Sequence, residues 1–264
     1  MIDVLKQQLR PGMSKEEKYN LLRDFLQLTA LKIMYDHGYF KMVAFVGGTA
    51  LRFIYNLRRY SEDLDFSLIH AKGYDFNRLN DKLITEFKLY GLEAETSPKT
   101  DRTVHGTFLK FPKVLKQLDL SPMAGQKISI KLEIDSNPPS GWNMASTYIN
   151  RMYTMTLAHY DVESLYGSKL HAIFFRTYIK GRDFYDLLWY LGKKIKPNLL
   201  ILNNAAKQAQ GVDMEINENN FNQLLLERLR KVDFADVKKD VQKFLEDPKE
   251  LAFMDLKTFE SLLH

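Results

Sequence analysis

The chain has 264 residues, 45% hydrophobic and 27% charged, which suffices for one large domain or two closely joined small ones. It contains no cysteine, which excludes disulfides, thiolate metal sites and cysteine nucleophiles. The formal charge of +5 is compatible with an anionic partner; no signal-like leader and no bilayer-length apolar run is seen, so a cytoplasmic protein without membrane association is expected.

Ser14 and Glu17 form a capping-box pattern that should open a long helix through Leu21, Leu22, Phe25, Leu28 and Ile33, stopped at Gly38. Met42 to Val46 reads as a buried strand running into Gly47-Gly48, followed by a short helix through Leu51, Phe53 and Ile54. A strand over Leu64 to Ile69 and a helix over Asp75 to Tyr90, closed by Gly91, come next. Residues 92–135 look β-rich, and the alternation in Ile128 to Asp135 predicts their clearest strand. Pro138 to Gly141 marks a loop, and a further strand is expected over Met152 to Leu157. From Asp161 helical periodicity dominates. The expectation is an α/β (α+β) protein with a small mixed-sheet domain, residues 1–158, and a helical domain, residues 159–264.

The segment FVGGTALRFIYNLRRYSEDLDF, from Phe45 to Phe66, carries the sharpest chemistry. Glycines let backbone N–H groups approach a phosphate, and a helix N-terminus adds a favourable dipole. Asp63 and Asp65 lie two apart on a strand, so both carboxylates leave one face and could reach one hard cation. Either fragment alone is commonly a turn or a solvated edge; the order strand, Gly-Gly, helix, Asp-x-Asp strand favours a site. Glu133 and Asp135 also share a strand face, and one of them could supply a third acid for a two-metal site. The alternative is that Lys131, Glu133 and Asp135 form the wet side of a sheet.

Lys169 falls inside the apolar stripe of Val162, Leu165, Tyr166, Leu170 and Ile173. An inward lysine needs an anion, which could be a triphosphate or a structural carboxylate. Asp183 and Asp186, three apart at the start of the helix after Gly181, are taken in isolation a capping and salt-bridging pair.

The segment GGTALRFIYNLRRYSEDLDF resembles the signature of the AbiEii abortive-infection toxins, within the polymerase-β-like nucleotidyltransferase superfamily. The likeness continues in IKLEID, GSKLHAIFFR, KGRDFYDLLWYL and the helical ending, and so spans most of the chain from residue 45. The resemblance implies a nucleotidyltransferase core in which Gly47, Gly48, Thr49 and Ser61 bind the nucleotide phosphates. It implies that Asp63, Asp65 and Glu133 hold Mg2+, that Lys169 contacts the triphosphate, and that Asp183, supported by Asp186, completes the catalytic set with Asp63, Asp65 and Lys169. Glu133 matches the family's third acid better than Asp135. Gly47-Gly48 stands where many polymerase-β-like enzymes have Gly-Ser, which points to the toxin branch. The implied reaction moves a nucleotide from an NTP to an acceptor hydroxyl, a tRNA 3′ end or other RNA. The implied partner is an antitoxin encoded alongside, and the implied role is growth arrest or phage defence.

Two other readings stay open at this stage. One is an NTP-dependent kinase on the same fold, and the other is a non-catalytic scaffold binding RNA or protein. Arg58-Arg59, Lys110 to Lys116, and Lys193, Lys194 and Lys196 are candidate RNA contacts.

Overall fold

Ser14 opens the long helix as its sequence predicts. In the computed structural model, which describes residues 2–123 and 125–263, its side chain accepts from the Glu17 N–H at 3.2 Å. The Glu17 carboxylate accepts from the Ser14 N–H at 2.6 Å, which completes the capping box. The elements run α1 (Ile2–Gln8), α2 (Lys15–Asp36), β1 (Val43–Val46), α3 (Gly47–Tyr55), β2 (Asp63–Leu68) and α4 (Phe76–Leu89). Then come β3 (Val104–Phe111), α5 (Val114–Gln117), β4 (Ile128–Asp135), β5 (Met144–Asn150) and β6 (Thr154–Tyr160). Helices α6 (Val162–Phe175), α7 (Gly181–Gly192), α8 (Leu199–Gln210), α9 (Phe221–Leu229), α10 (Phe234–Val241) and α11 (Leu256–Leu263) follow. None of the described helices is long and apolar enough to cross a membrane.

The six strands form one mixed sheet in the order β3-β4-β2-β1-β6-β5. Pairing is antiparallel between β1 and β2 and between β3 and β4, and parallel between β2 and β4 and between β1 and β6. The expected mixed α/β class is therefore what the chain adopts. Two details differ from the sequence reading. The final strand begins at Thr154 rather than Met152, and β5 precedes it where none was expected. Strand β5 is largely exposed, so it lacks the apolar alternation that marks a half-buried strand.

Two compact units divide the chain. The first comprises the chain up to Ile54, Tyr60–Pro138 and Ser146–His159; the second comprises Tyr55–Arg59, Pro139–Ala145 and the chain from Tyr160 onward.

In the sheet unit, α2 packs on α4 and on β4. Phe87 of α4 meets Phe111 of β3 edge-on at 4.8 Å, and Phe45 and Phe66 lie 5.3 Å apart. Leu64, Phe66, Ile130, Leu132, Leu109 and Phe111 are buried, each such side chain contributing about 1.5–3 kcal/mol. Because strand side chains alternate, burying this set leaves Asp63, Asp65, Lys131 and Glu133 on the opposite face.

In the helical unit, α7 packs against α6, α10 and α11, and Tyr166 stacks on Tyr190 at 4.2 Å. Gly181 lets α7 and α10 meet. A Cβ there would overlap the Val237 carbonyl oxygen, while the Gly181 N–H donates to Asp240 Oδ2 at 2.7 Å. Gly181→Ala is therefore expected to destabilise the protein by about 1–3 kcal/mol, against the usual gain from Gly→Ala in a helix. Urea unfolding measures the sign.

Candidate active site

The turn from β1 into α3 is shaped by Gly47. Its φ of +76° is a left-handed conformation, and a Cβ would stand 2.5 Å from Asp65 Oδ2. Any other residue would be strained and would push the Asp65 carboxylate aside. Gly48 and Thr49 follow in the first turn of α3, where N–H groups have no partner within the helix and the dipole favours an anion. The buried Thr49 hydroxyl donates to the Asp63 carbonyl, so it ties α3 to the acid strand. Arg52, farther along α3, grips Asp24 of α2 with Nε at 3.0 Å and Nη2 at 2.6 Å and lies over the Tyr60 ring. These contacts fix the helix whose N-terminus faces Asp65. Ser61 precedes β2 rather than lying in it; it is buried, and its carbonyl accepts from Gln27 Nε2 at 3.1 Å.

Parallel pairing of β2 with β4 sets Asp63 beside Lys131, Asp65 beside Glu133, and Ser67 beside Asp135. Glu133 is thus the acid level with Asp65, whereas Asp135 sits one step further along and accepts from the Asn137 N–H at 3.0 Å. Lys131 Nζ bridges to Glu133 Oε2 at 2.7 Å. Partial burial acts to lower the Lys131 pKa, but the Glu133 hydrogen bond and the charges of Glu133, Asp63 and Asp65 outweigh it and raise the pKa. Sequence reasoning placed Lys131 only on a wet face; its ion pair is visible only once the rotamers are known.

Magnesium takes one or two carboxylates, with substrate phosphates and water completing its octahedron. Asp63 and Asp65 could supply such a pair to an ion arriving with a nucleotide. Among the described residues no group of three or more His, Cys, Asp or Glu side chains stands as a ready metal cage. Glu133 would have to leave Lys131 to join.

Within the helical unit, Lys169 donates to Asp183 Oδ1 at 2.8 Å and bridges to Asp186 Oδ2 at 2.9 Å. Arg59 Nε and Nη2 clasp the two Asp186 oxygens at 2.6 and 2.7 Å, and Arg176 Nη1 bonds Asp183 Oδ2. The anion that the inward lysine required is therefore present in the protein as two carboxylates. Burial raises the Asp186 pKa, yet Arg59 and Lys169 outweigh it and hold the carboxyl below its ordinary value. Burial likewise lowers the Lys169 pKa, and Asp183 and Asp186 more than reverse it. Among the described residues, Arg59, Lys169 and Arg176 meet Asp183 and Asp186 in this cluster. Arg59, read from sequence as an RNA contact, is only 2% exposed and belongs to this cluster instead. Arg58 is more exposed but paired with Glu250 at 3.1 Å, Lys113 pairs with Glu93, and Lys196 pairs with Glu218. Arg59 and Arg176 both lie inside the motif segments, so the signal for them was present without their role.

A family model for the AbiEii nucleotidyl transferase toxin of Type IV toxin–antitoxin systems matches residues 29–264. The chain belongs to the AbiEii toxin family. AbiEii membership makes it a member of a nucleotidyltransferase enzyme family whose toxins belong to systems that pair a toxin with a cognate antitoxin. The fold is shared with JHP933 from Helicobacter pylori, at 21% identity and TM-score 0.53, over 93% of this chain and 91% of that one. A second H. pylori structure, described as a candidate nucleotidyltransferase, is 22% identical with TM-score 0.51, over 92% of this chain and 94% of that one. A search of curated proteins gives no match for this AbiEii chain.

Proposed function

We propose that this AbiEii chain is a toxin that moves a nucleotide from a magnesium-bound nucleoside triphosphate to an acceptor hydroxyl, releasing pyrophosphate, with a tRNA 3′ end as the acceptor. The observation that carries this reading is the close fit of Gly47 against Asp65, which joins a phosphate-accepting helix start to the Asp63–Asp65 face. In this proposal the N–H groups of Gly47, Gly48 and Thr49 receive phosphate oxygens, with Ser61 beside them. Asp63 and Asp65 hold magnesium, and Glu133 is the third acid. Its register beside Asp65 supports Glu133 over Asp135. Bound magnesium supplies charge stabilisation for phosphoryl oxygens and lowers the pKa of an attacking hydroxyl. The chain's own contribution is to hold the phosphates at the helix start and to set the carboxylates on one rigid sheet face. Lys131 limits repulsion among those carboxylates.

Lys169 and Asp183 keep, within the same proposal, the nucleotide-directed roles that their motifs imply. The burial of Lys169 beside Asp183, within the motif segments, supports an anion-handling task for Lys169. RNA as acceptor draws its support from the net charge of +5 and from Lys193 and Lys194, which are exposed. A cognate antitoxin, a cytoplasmic site of action and a part in phage defence complete the proposal.

The test is incubation of the full chain with each nucleoside triphosphate and total cellular RNA, labelled at the α-phosphate in one series and the γ-phosphate in another. Label from the α-phosphate in a discrete RNA band is the expected result. Transfer of the γ-label instead would identify a kinase, and no transfer of either would refute the reading. In the same assay Glu133→Gln is expected to lower the rate at least about tenfold more than Asp135→Asn. The reverse order would assign the third acid to Asp135.

A further inference from the structure

Strand β3 puts an exposed aromatic ring, Phe108, on the face that carries the acids. Strand β3 pairs with β4 so that Phe108 lies beside Lys131, which in turn lies beside Asp63. Phe108 alternates with the buried Thr107 and Leu109, so its side chain leaves the sheet on the same side as Lys131 and Asp63. It is 47% exposed, and Val104, on the same face of the same strand, is 43% exposed. Gly106 lies between them, level with Glu133, and its Cβ position is open enough that the nearest Glu133 atoms lie 3.8 Å away. The outer side of β3 is not a free edge, because Glu95 and Lys99 bridge to Lys110 and Gly106.

A single exposed Phe is unremarkable by itself. The placement of this one is specific. It stands two strand spacings from Asp63, about 10 Å, in a row of otherwise charged side chains. That span matches the distance across a ribose from the phosphates of a nucleotide to its base. The glycine gap leaves the ring's flank uncovered.

We propose that Phe108 is the base platform of the site: the nucleobase of the donor nucleoside triphosphate stacks on its ring, while the phosphates lie toward Asp63, Asp65 and the start of α3. This deepens the functional reading above and rests on it. Lys131 then lies beneath the ribose and α-phosphate, its ammonium held toward Glu133. Because every base presents a π-face, the platform should bind all four bases and confer little choice among them.

Calorimetric titration of the full chain with each magnesium nucleoside triphosphate, and with magnesium tripolyphosphate as the probe lacking a base, tests this. Phe108→Ala is expected to weaken binding of all four nucleotides roughly tenfold and to leave tripolyphosphate binding unchanged. Phe108→Trp should restore nucleotide binding and add an indole fluorescence that nucleotide quenches and tripolyphosphate does not. Phe108→Leu, which keeps apolar area without a ring, should recover only part of the loss. Unchanged nucleotide affinity in Phe108→Ala overturns the proposal, including the case where only the acceptor's KM rises. Equal loss for nucleotide and tripolyphosphate also overturns it, since the ring would then act through the sheet. If the unsubstituted chain binds neither probe, the functional reading fails and takes this proposal with it.

Discussion

Asp65→Asn is expected to lower nucleotide transfer by about a thousandfold, and Asp63→Asn by a similar factor. Both changes keep the side-chain shape, so the contact between residue 65 and Gly47 survives while the charge is lost. Both residues lie on the partly exposed face of β2, away from its buried Leu64 and Phe66, so the melting temperature should move by no more than a few degrees. Single-turnover kinetics with α-labelled nucleotide, beside thermal melts, separate loss of chemistry from loss of fold. Near-normal turnover in both variants would remove the acid pair from the mechanism.

The second large effect concerns stability. Asp186 is fully buried and paired with both Arg59 and Lys169. Asp186→Ala removes the shared carboxylate from two buried cations and is expected to cost about 3–5 kcal/mol, which lowers the melting temperature by roughly 10 °C. Lys169→Met behaves differently, because Asp186 keeps Arg59 and Asp183 keeps Arg176. A small stability change with lost nucleotide affinity in that variant supports the nucleotide-directed role; intact affinity assigns Lys169 to the cluster alone.

The pH dependence follows in sign. The folded-state pKa of Asp186 lies below 3.8, so its stabilisation is present above that value and fades as pH falls through the folded pKa. The folded-state pKa of Lys169 lies above 10.5, so its contribution is complete below that value and fades as pH rises beyond it. The gap in melting temperature between the native chain and Asp186→Ala should therefore stay flat across neutral pH and shrink under strong acid.

Local signals in the sequence matched local structure well. Ser14 and Glu17 mark a capping box, the alternation in Ile128 to Asp135 marks β4, and Gly47-Gly48 marks a strand-to-helix turn; all three are found in place. What escaped depends on distant partners or on exposure. Arg59 looked like a surface cation because Asp186, which buries it, lies 127 positions away. Strand β5 lacked apolar alternation because it lies at the edge of the sheet, where burial does not select it. Phe108 was hidden inside a generally β-rich stretch, since only the β3–β4 register shows which row it joins. Charged motifs can be read from a chain, whereas the neighbours that hold them belong to topology.

For the site proposed on the acid face, the parallel pairing of β2 with β4 has a consequence for when activity can begin. Asp65 and Glu133 become neighbours only after β4 has been synthesised, 68 positions beyond Asp65. Parallel contacts of such separation form slowly, since loop closure must precede any gain from pairing. A slip of one residue in β2 would bury Asp63 and Asp65 and expose Leu64 and Phe66, and the same slip in β4 would bury Glu133 and expose Leu132 and Ile134. The hydrophobic face thus proofreads the polar one: an emerging or misregistered chain carries the Asp63–Asp65 motif but lacks the completed charged face beside it. A cell translating this toxin is exposed to that face only once the central strands have locked into register.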